Sequence, residues 1–377
     1  MPTMTKPNRR SVMRLAIGAG AVCVAPAWAQ PTNARQITVA QIVDMSASQI
    51  DVSKDFVVGA RAAWKDINAK GGIRGNAVRH LVLEVDGSPA SLRGAIDTVK
   101  GMPQCIALFG TAGDRAASQT IGIMRRELPD LAHIAPWLQN PESDNTDSTF
   151  PIFASRLEQI SYALKTLSVM GITGFGAVYG SPAEYATYRE SMEQTAVKLK
   201  MRLTSFNPSS GLEQLAHSLT ADSSRVLIFL GGTPELIQLT QGLSKKAEQR
   251  YIVAMSDVNL QTLSQMGVSR YSSVIATQVV PLVNSNLPVV KSYRETLSRL
   301  YDEPPTPQSL AGFIAARYTF EMLQSVSGPL TRASTLQALQ KRATIELGGF
   351  RIALEAKAHS GSYVTQSMIS TDGRLVG

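Results

Sequence analysis

The sequence predicts an α/β protein built as two doubly wound lobes, and three observations carry that expectation. Strand-like apolar runs alternate with amphipathic helical stretches along most of the chain, the pattern of repeated βα units around parallel sheets. The alternation lapses over 136–149, where polar and turn-forming residues dominate, and then resumes as a second series. A strand over 274–279 runs into Pro281, and helices follow it rather than another βα unit, so the chain turns back toward the first lobe.

Residues 1–29 read as an export segment, outside the fold. Arg9, Arg10 and Arg14 form a basic start, an uncharged apolar run follows from Leu15 to Trp28, and Ala27-Trp28-Ala29 offers small residues for cleavage before Gln30. The run is too short to span a bilayer. The arginine pair resembles a twin-arginine signal, under which the protein crosses already folded. Periplasmic localisation is therefore expected. Cys23 fits a lipoprotein site poorly, because Val22 occupies a position that wants a small residue.

Charge narrows the function further. The chain has 377 residues, 37 basic against 29 acidic, for a net charge of +8. Lys6, Arg9, Arg10 and Arg14 fall in the export segment; taking four from 37 leaves 33 bases against 29 acids, a net of +4. That balance, without basic runs interleaved with aromatics, argues against nucleic acid. Cys105 is the one cysteine left, set in the apolar run 105–109, so it reads as a small buried hydrophobe. Disulfides and cysteine metal clusters are excluded, and stability has to come from core packing.

The first βα unit is the clearest. Ile37 to Val43 reads as a strand. Phe56, Val57, Ala60, Ala63, Trp64 and Ile67 share one stripe of a 3.6-period helix. Gly71-Gly72 ends that helix, since glycine accepts a left-handed cap without a Cβ clash. A strand over 78–85 follows. Helices over 91–102 and 115–127 alternate with strands over 105–109 and 131–135. The second series places strands at 150–154, 175–179, 202–206, 226–230 and 251–255, with helices between them. Helices over 287–300 and 309–326 are separated by Pro304, Pro305 and Pro307. A short helix over 335–341 and strands over 352–354 and 363–369 complete the chain.

Asn68-Ala69-Lys70-Gly71-Gly72-Ile73-Arg74-Gly75, followed by a strand ending in Asp86 and by Ser88-Pro89-Ala90, resembles the N-terminal signature of type I periplasmic binding proteins. The branch is the one that includes the leucine/isoleucine/valine-binding proteins of ABC importers. The resemblance runs over nearly all of 37–373. It implies two Rossmann-like lobes joined by three hinge crossings, the periplasmic binding protein-like I fold. The expected first lobe is 30–150 with 281–345, and the second is 151–280 with 346–377. It implies a monomeric component that captures a small-molecule ligand, an amino acid or a small carboxylate or amide, and delivers it to permease and ATPase subunits. An alternative is a sensor that presents its ligand to a receptor or regulator. No enzyme activity, cofactor or metal is expected. The four histidines show no metal-ligand spacing, and nucleophile-elbow, phosphate-loop and dinucleotide motifs are absent.

Ligands of open α/β sheets sit beyond the carboxyl ends of the strands, where helix starts offer unpaired N–H groups. In the first lobe these loops hold Ser46, Gly113, Asp114, Arg115, Trp137 and Leu138. Asp114 and Arg115 read as cap residues or ligand contacts, Arg115 as the direct binder of a ligand carboxylate, and Trp137 as core or a stacking wall. The resemblance adds Ser155 at the first crossing, where Arg156 stands in place of a frequent tyrosine. It adds Tyr185, Thr233 and Asp257 in the second lobe. Asp257 falls where the family places an acid for a ligand ammonium, with a helix cap as the alternative role.

Overall fold

The computed structural model describes residues 37–140, 147–243, 249–266, 272–354, 362–369 and 375–376. The export segment and the turn residues Gly361, Asp372 and Gly373 lie outside the described residues. Residues 35–377 form one unit, and it holds two main sheets.

The first sheet has the order β2-β1-β3-β4-β5, all parallel. Its strands are β1 Ile37–Asp44, β2 Val78–Val85, β3 Cys105–Phe109, β4 Ala132–Ile134 and β5 Thr149–Phe150. Every residue of β1 is buried, as a strand covered on both faces requires. α1 Ile50–Ala69, α2 Pro89–Lys100 and α3 Asp114–Glu127 connect the strands. α1 ends as expected: Gly71 N–H bonds Asn68 O and Gly72 N–H bonds Ile67 O, with both glycines at positive φ.

The second sheet has the order β14-β13-β10-β9-β8-β6-β7. Parallel strands β6 Gly174–Tyr179, β7 Arg202–Phe206, β8 Val226–Leu230, β9 Arg250–Ala254 and β10 Ser272–Gln278 carry α4 Arg156–Val169, α5 Pro182–Lys198, α6 Leu212–Ser218, α7 Thr233–Leu243 and α8 Leu260–Gln265. Antiparallel β13 Thr365–Ile369 and β14 Leu375–Val376 close one edge.

The chain returns to the first lobe through α9 Pro288–Leu300, α10 Pro307–Ser325 and α11 Arg332–Gln340. α10 lies against α1 so closely that a Cβ built on Gly59 would stand 1.7 Å from Ser309 O, and one on Gly312 1.8 Å from Phe56 O. Asp66, at 2% exposure, adds a polar tie. It accepts from Lys70 at 2.7 Å, Arg299 at 2.9 Å and Arg317 at 2.7 Å, joining α1 to α9 and α10. Burial pushes this carboxyl up, but the bonds from Lys70 and Arg299 and the charge of Arg317 outweigh it and hold it below its ordinary value.

Two expectations need correction. The strand placed at 150–154 is only Thr149–Phe150, and it extends the first sheet beside β4 instead of opening the second. The third crossing was expected at 345/346. The hairpin β11 Ile345–Leu347 and β12 Phe350–Ile352 instead packs in the first core, with Leu347, Phe350, Ile352 and Leu354 buried among α1, α9 and α10 side chains. The crossing therefore falls between Leu354 and Thr365. Cys105 is buried as expected, its thiol pushed up mainly by burial.

Candidate ligand-binding cleft

The two sheets present the carboxyl ends of their parallel strands to each other, and the loops there meet in a hydrogen-bonded cluster. α4 supplies its centre. Ser155 caps this helix, its Oγ accepting from Glu158 N–H while Glu158 Oε2 accepts from Ser155 N–H at 2.7 Å. That capping box fixes Arg156 as the first helical residue. A cation at a helix N-terminus opposes the macrodipole and needs carboxylates nearby. Arg156 finds two: Nη1 donates to Glu184 Oε1 at 2.8 Å and Nη2 donates to Asp257 Oδ2. Its guanidinium also lies 5.3 Å from the Tyr188 ring centre.

The first lobe reaches the same point. Trp137 Nε1 donates to the other Asp257 oxygen at 3.0 Å. The indole is buried between Phe56 and Phe153, with ring centres 5.9 and 5.5 Å away. Asp114 accepts from Gln139 N–H at 2.6 Å, from Asn140 N–H at 3.2 Å and from Asn140 Nδ2 at 3.0 Å. Asn140 Oδ1 in turn accepts from the Tyr188 hydroxyl. A chain of contacts thus runs from Asp114 through Asn140 and Tyr188 to Arg156, Asp257 and Trp137.

Burial sets the charges. It pushes the Asp114 carboxyl up, with Arg156 opposing and Asp257 adding to the rise. It likewise raises Glu184, against the charge and hydrogen bond of Arg156. Arg156 stays protonated, because Asp257, Tyr188 and Glu184 outweigh its own desolvation. Within the cluster, two buried donors of the described residues have no partner: Arg156 Nε and Gln139 Nε2.

A buried amide network lies beneath the cluster, where the crossings converge. Gln159 donates to Gln139 Oε1 at 2.8 Å and accepts from Ser256 N–H and the Thr277 hydroxyl. Gln308 donates to Ser256 O at 3.0 Å. Beside it, Asp55 on α1 accepts from Asn259 at 3.0 Å and Thr306 at 2.7 Å, bridging the lobes. Its carboxyl is pushed up to about 6, mainly by burial, with Thr306 and Asn259 opposing and Glu303 and Asp51 adding to the rise. A raised folded value means that the stabilisation is full below the ordinary 3.8 and is lost as pH rises through about 6. Asp55→Asn is expected to remove that slope, worth about 3 kcal/mol. Urea unfolding across this range measures it, and a slope unchanged in the variant would reject the assignment.

The expected site residues divide. Asp114, Trp137 and Asp257 come together, and Ser155 supports them. Asp114 is not a side-chain cap: Gly113, at φ 105, is the N-cap of α3, and the carboxylate reaches across to 139–140. A Cβ at Gly113 would stand 2.6 Å from Asp44 Cβ, so glycine is required there. Asp257 is not a cap either, since Asn259 caps α8. Arg115 is corrected: it is exposed on α3 and outside the cluster, and the buried cation is Arg156. Leu138 is buried beside Trp137. Tyr185 packs edge-on against Tyr179 at 5.1 Å, with the second core. Thr233 is buried and accepts from Asn259 N–H at 2.9 Å. Ser46 is half-buried, its N–H on Asp44 at 2.9 Å.

Arg156, Glu184, Tyr188 and Asn140 were missed as site residues. Glu184 and Tyr188 stand four apart on α5, which places them on one face. Arg156 was visible as the departure after Ser155. Two surface depressions lie elsewhere, one at the amino ends of β6 and β8 and one between α9, α10 and β11. Among the described residues no His, Cys, Asp or Glu group is placed to hold a metal ion, and no helix is long and apolar enough to cross a membrane.

A family model described as periplasmic binding protein matches residues 36–369. The chain belongs to that family. Among solved structures, an extracellular ligand-binding receptor from Verminephrobacter eiseniae is 19% identical, with a TM-score of 0.80, 91% of this chain covered and 100% of the other. The branched-chain amino acid transporter substrate-binding protein from Streptococcus pneumoniae, in complex with isoleucine, is 13% identical, with a TM-score of 0.77 and coverage of 91% and 98%. A solute-binding protein of an ABC transporter from R. palustris, in complex with benzoate, is 10% identical, with a TM-score of 0.73 and coverage of 90% and 95%. No curated protein matches. At these identities the likeness carries the fold, that of a type I periplasmic binding protein. In this periplasmic binding protein the cluster lies where both sheets aim their strand ends.

Proposed function

We propose that this chain is the substrate-binding component of an ABC importer, exported to the periplasm and closing around a small polar ligand between its lobes. The observation that carries the reading is the meeting of Trp137 from the first lobe with Asp257 and Arg156 of the second. Similar structures hold isoleucine and benzoate, which supports a small-molecule cargo. The lobes hinge about the buried glutamine network. A ligand that binds the closed form more tightly shifts the open–closed equilibrium by that difference in affinity, and no more. Ser46, Thr233 and Tyr185 line the approach to the cluster in this reading.

A thermal-shift screen of the purified protein against amino acids, amines, amides, aromatic acids and small carboxylates tests it. A ligand at about a hundred times its Kd should add about 2.7 kcal/mol of stability. A rise confined to one class would establish binding. No rise with any class would overturn the reading.

A further inference from the structure

The cluster holds more acid than base. Asp114, Glu184 and Asp257 surround one guanidinium, and Arg156 spends both terminal nitrogens on Glu184 and Asp257. Among the described residues, Asp114 accepts from neutral donors, the Gln139 and Asn140 N–H groups and the Asn140 amide. Those backbone N–H groups follow β4 and would otherwise be free to donate to an incoming oxyanion. Here the chain's own carboxylate already occupies them. An incoming carboxylate would lose these donors and face Asp114 and Asp257, a repulsion that works as selection against anions. An incoming cation would offset the surplus and would meet the Tyr188 ring, against which one cation already rests.

A second, independent observation points to a ligand. Arg156 and Gln139 are both more than nine-tenths buried, and Arg156 Nε and Gln139 Nε2 have no acceptor. Buried donors of this kind call for an oxygen. A neutral carbonyl or hydroxyl can supply it without adding negative charge.

We propose that the cleft selects a small amine or amidine cation that carries no carboxylate, with Asp114 as the residue that sets this charge preference. The inference rests on the solute-binding reading above and narrows it to one ligand class. The cation sits beside Asp114 and Glu184, and a neutral oxygen, of the ligand or of a water bound with it, accepts from Gln139 and Arg156.

Isothermal titration calorimetry on the full chain with shape-matched probe pairs that differ in charge tests the inference: leucinamide with leucine, benzamidine with benzoate, and agmatine with 4-guanidinobutyrate. The expected result is that the cation of at least one pair binds at least about tenfold more tightly than its carboxylate partner, and that Asp114→Asn weakens it by about tenfold or more. Glu184→Gln serves as the second variant should Asp114→Asn fold poorly, and it is expected to weaken the cation likewise. Tighter binding of the carboxylate members would overturn the charge class and leave solute binding standing. Cation binding unchanged in a folded variant would overturn the role of these acids. Silence from all six probes would also overturn the inference, and the broader thermal-shift screen then decides whether solute binding falls with it.

Discussion

Gly312→Ala is expected to destabilise the protein by at least about 3 kcal/mol, at the upper end of overpacking costs. The added Cβ would sit 1.8 Å from Phe56 O and 3.1 Å from Ala60 N, both backbone atoms of α1. Gly59→Ala is the reciprocal case, 1.7 Å from Ser309 O and 2.9 Å from Phe313 N. Neither helix can step aside cheaply. α1 packs Phe56, Trp64 and Ile67 into the core beneath it, and α10 is buried along most of its length. Urea unfolding reads the loss. Gly94→Ala is the control: that glycine lies in α2 with open space where its Cβ would go, so alanine should be neutral or stabilising by about 0.5–1 kcal/mol. A Gly312→Ala loss no larger than that of an exposed site would mean that the helices do not touch backbone to backbone.

The second large effect is expected from Arg156→Met, at about 3–5 kcal/mol near neutral pH. Removing the guanidinium leaves buried Asp257 and half-buried Glu184 without their shared partner. The loss should depend on pH in a defined direction. Glu184 already lies above its ordinary value, and Arg156 is what opposes the rise. Without it the folded value climbs further. A carboxyl raised on folding contributes stability below its unfolded value and loses it as pH increases. The deficit should therefore be smaller near about pH 5 than near about pH 8. Unfolding curves at both values decide it, and a deficit independent of pH would show that the cost is lost packing alone. Asp257→Ala should separately weaken a bound cation, since Arg156 then loses one of its two carboxylates and the acid surplus of the cleft falls.

Legibility in the sequence followed the range of the forces involved. α1 and its stop could be read, because a 3.6-period stripe and a glycine pair act within a few residues. The alternation of βα units could be read for the same reason. The hairpin of β11 and β12 was assigned to the wrong lobe, because three-residue apolar strands carry no information about which core they join. Asp114 resembled a cap, since caps are local. Its actual donors lie 25 and 26 residues away. Arg156 sits beside Asp257 across 101 residues of chain, and nothing near it in sequence announces a buried pair. The residue types after each strand pointed to the right end of each lobe, and tertiary contact chose among them.

The way the first lobe is completed bears on how the chain matures. Its sheet is made early, yet α1 finds its partner only when α10 arrives; the contact between Asp66 and Arg317 spans 251 residues. Until then the surface around Gly59 that α10 covers stays open to water. Synthesis therefore delivers a nascent chain whose opening domain waits for its last helices, while 174–278 can assemble most of the second sheet from sequential neighbours. Such an intermediate is slow to close and prone to self-association.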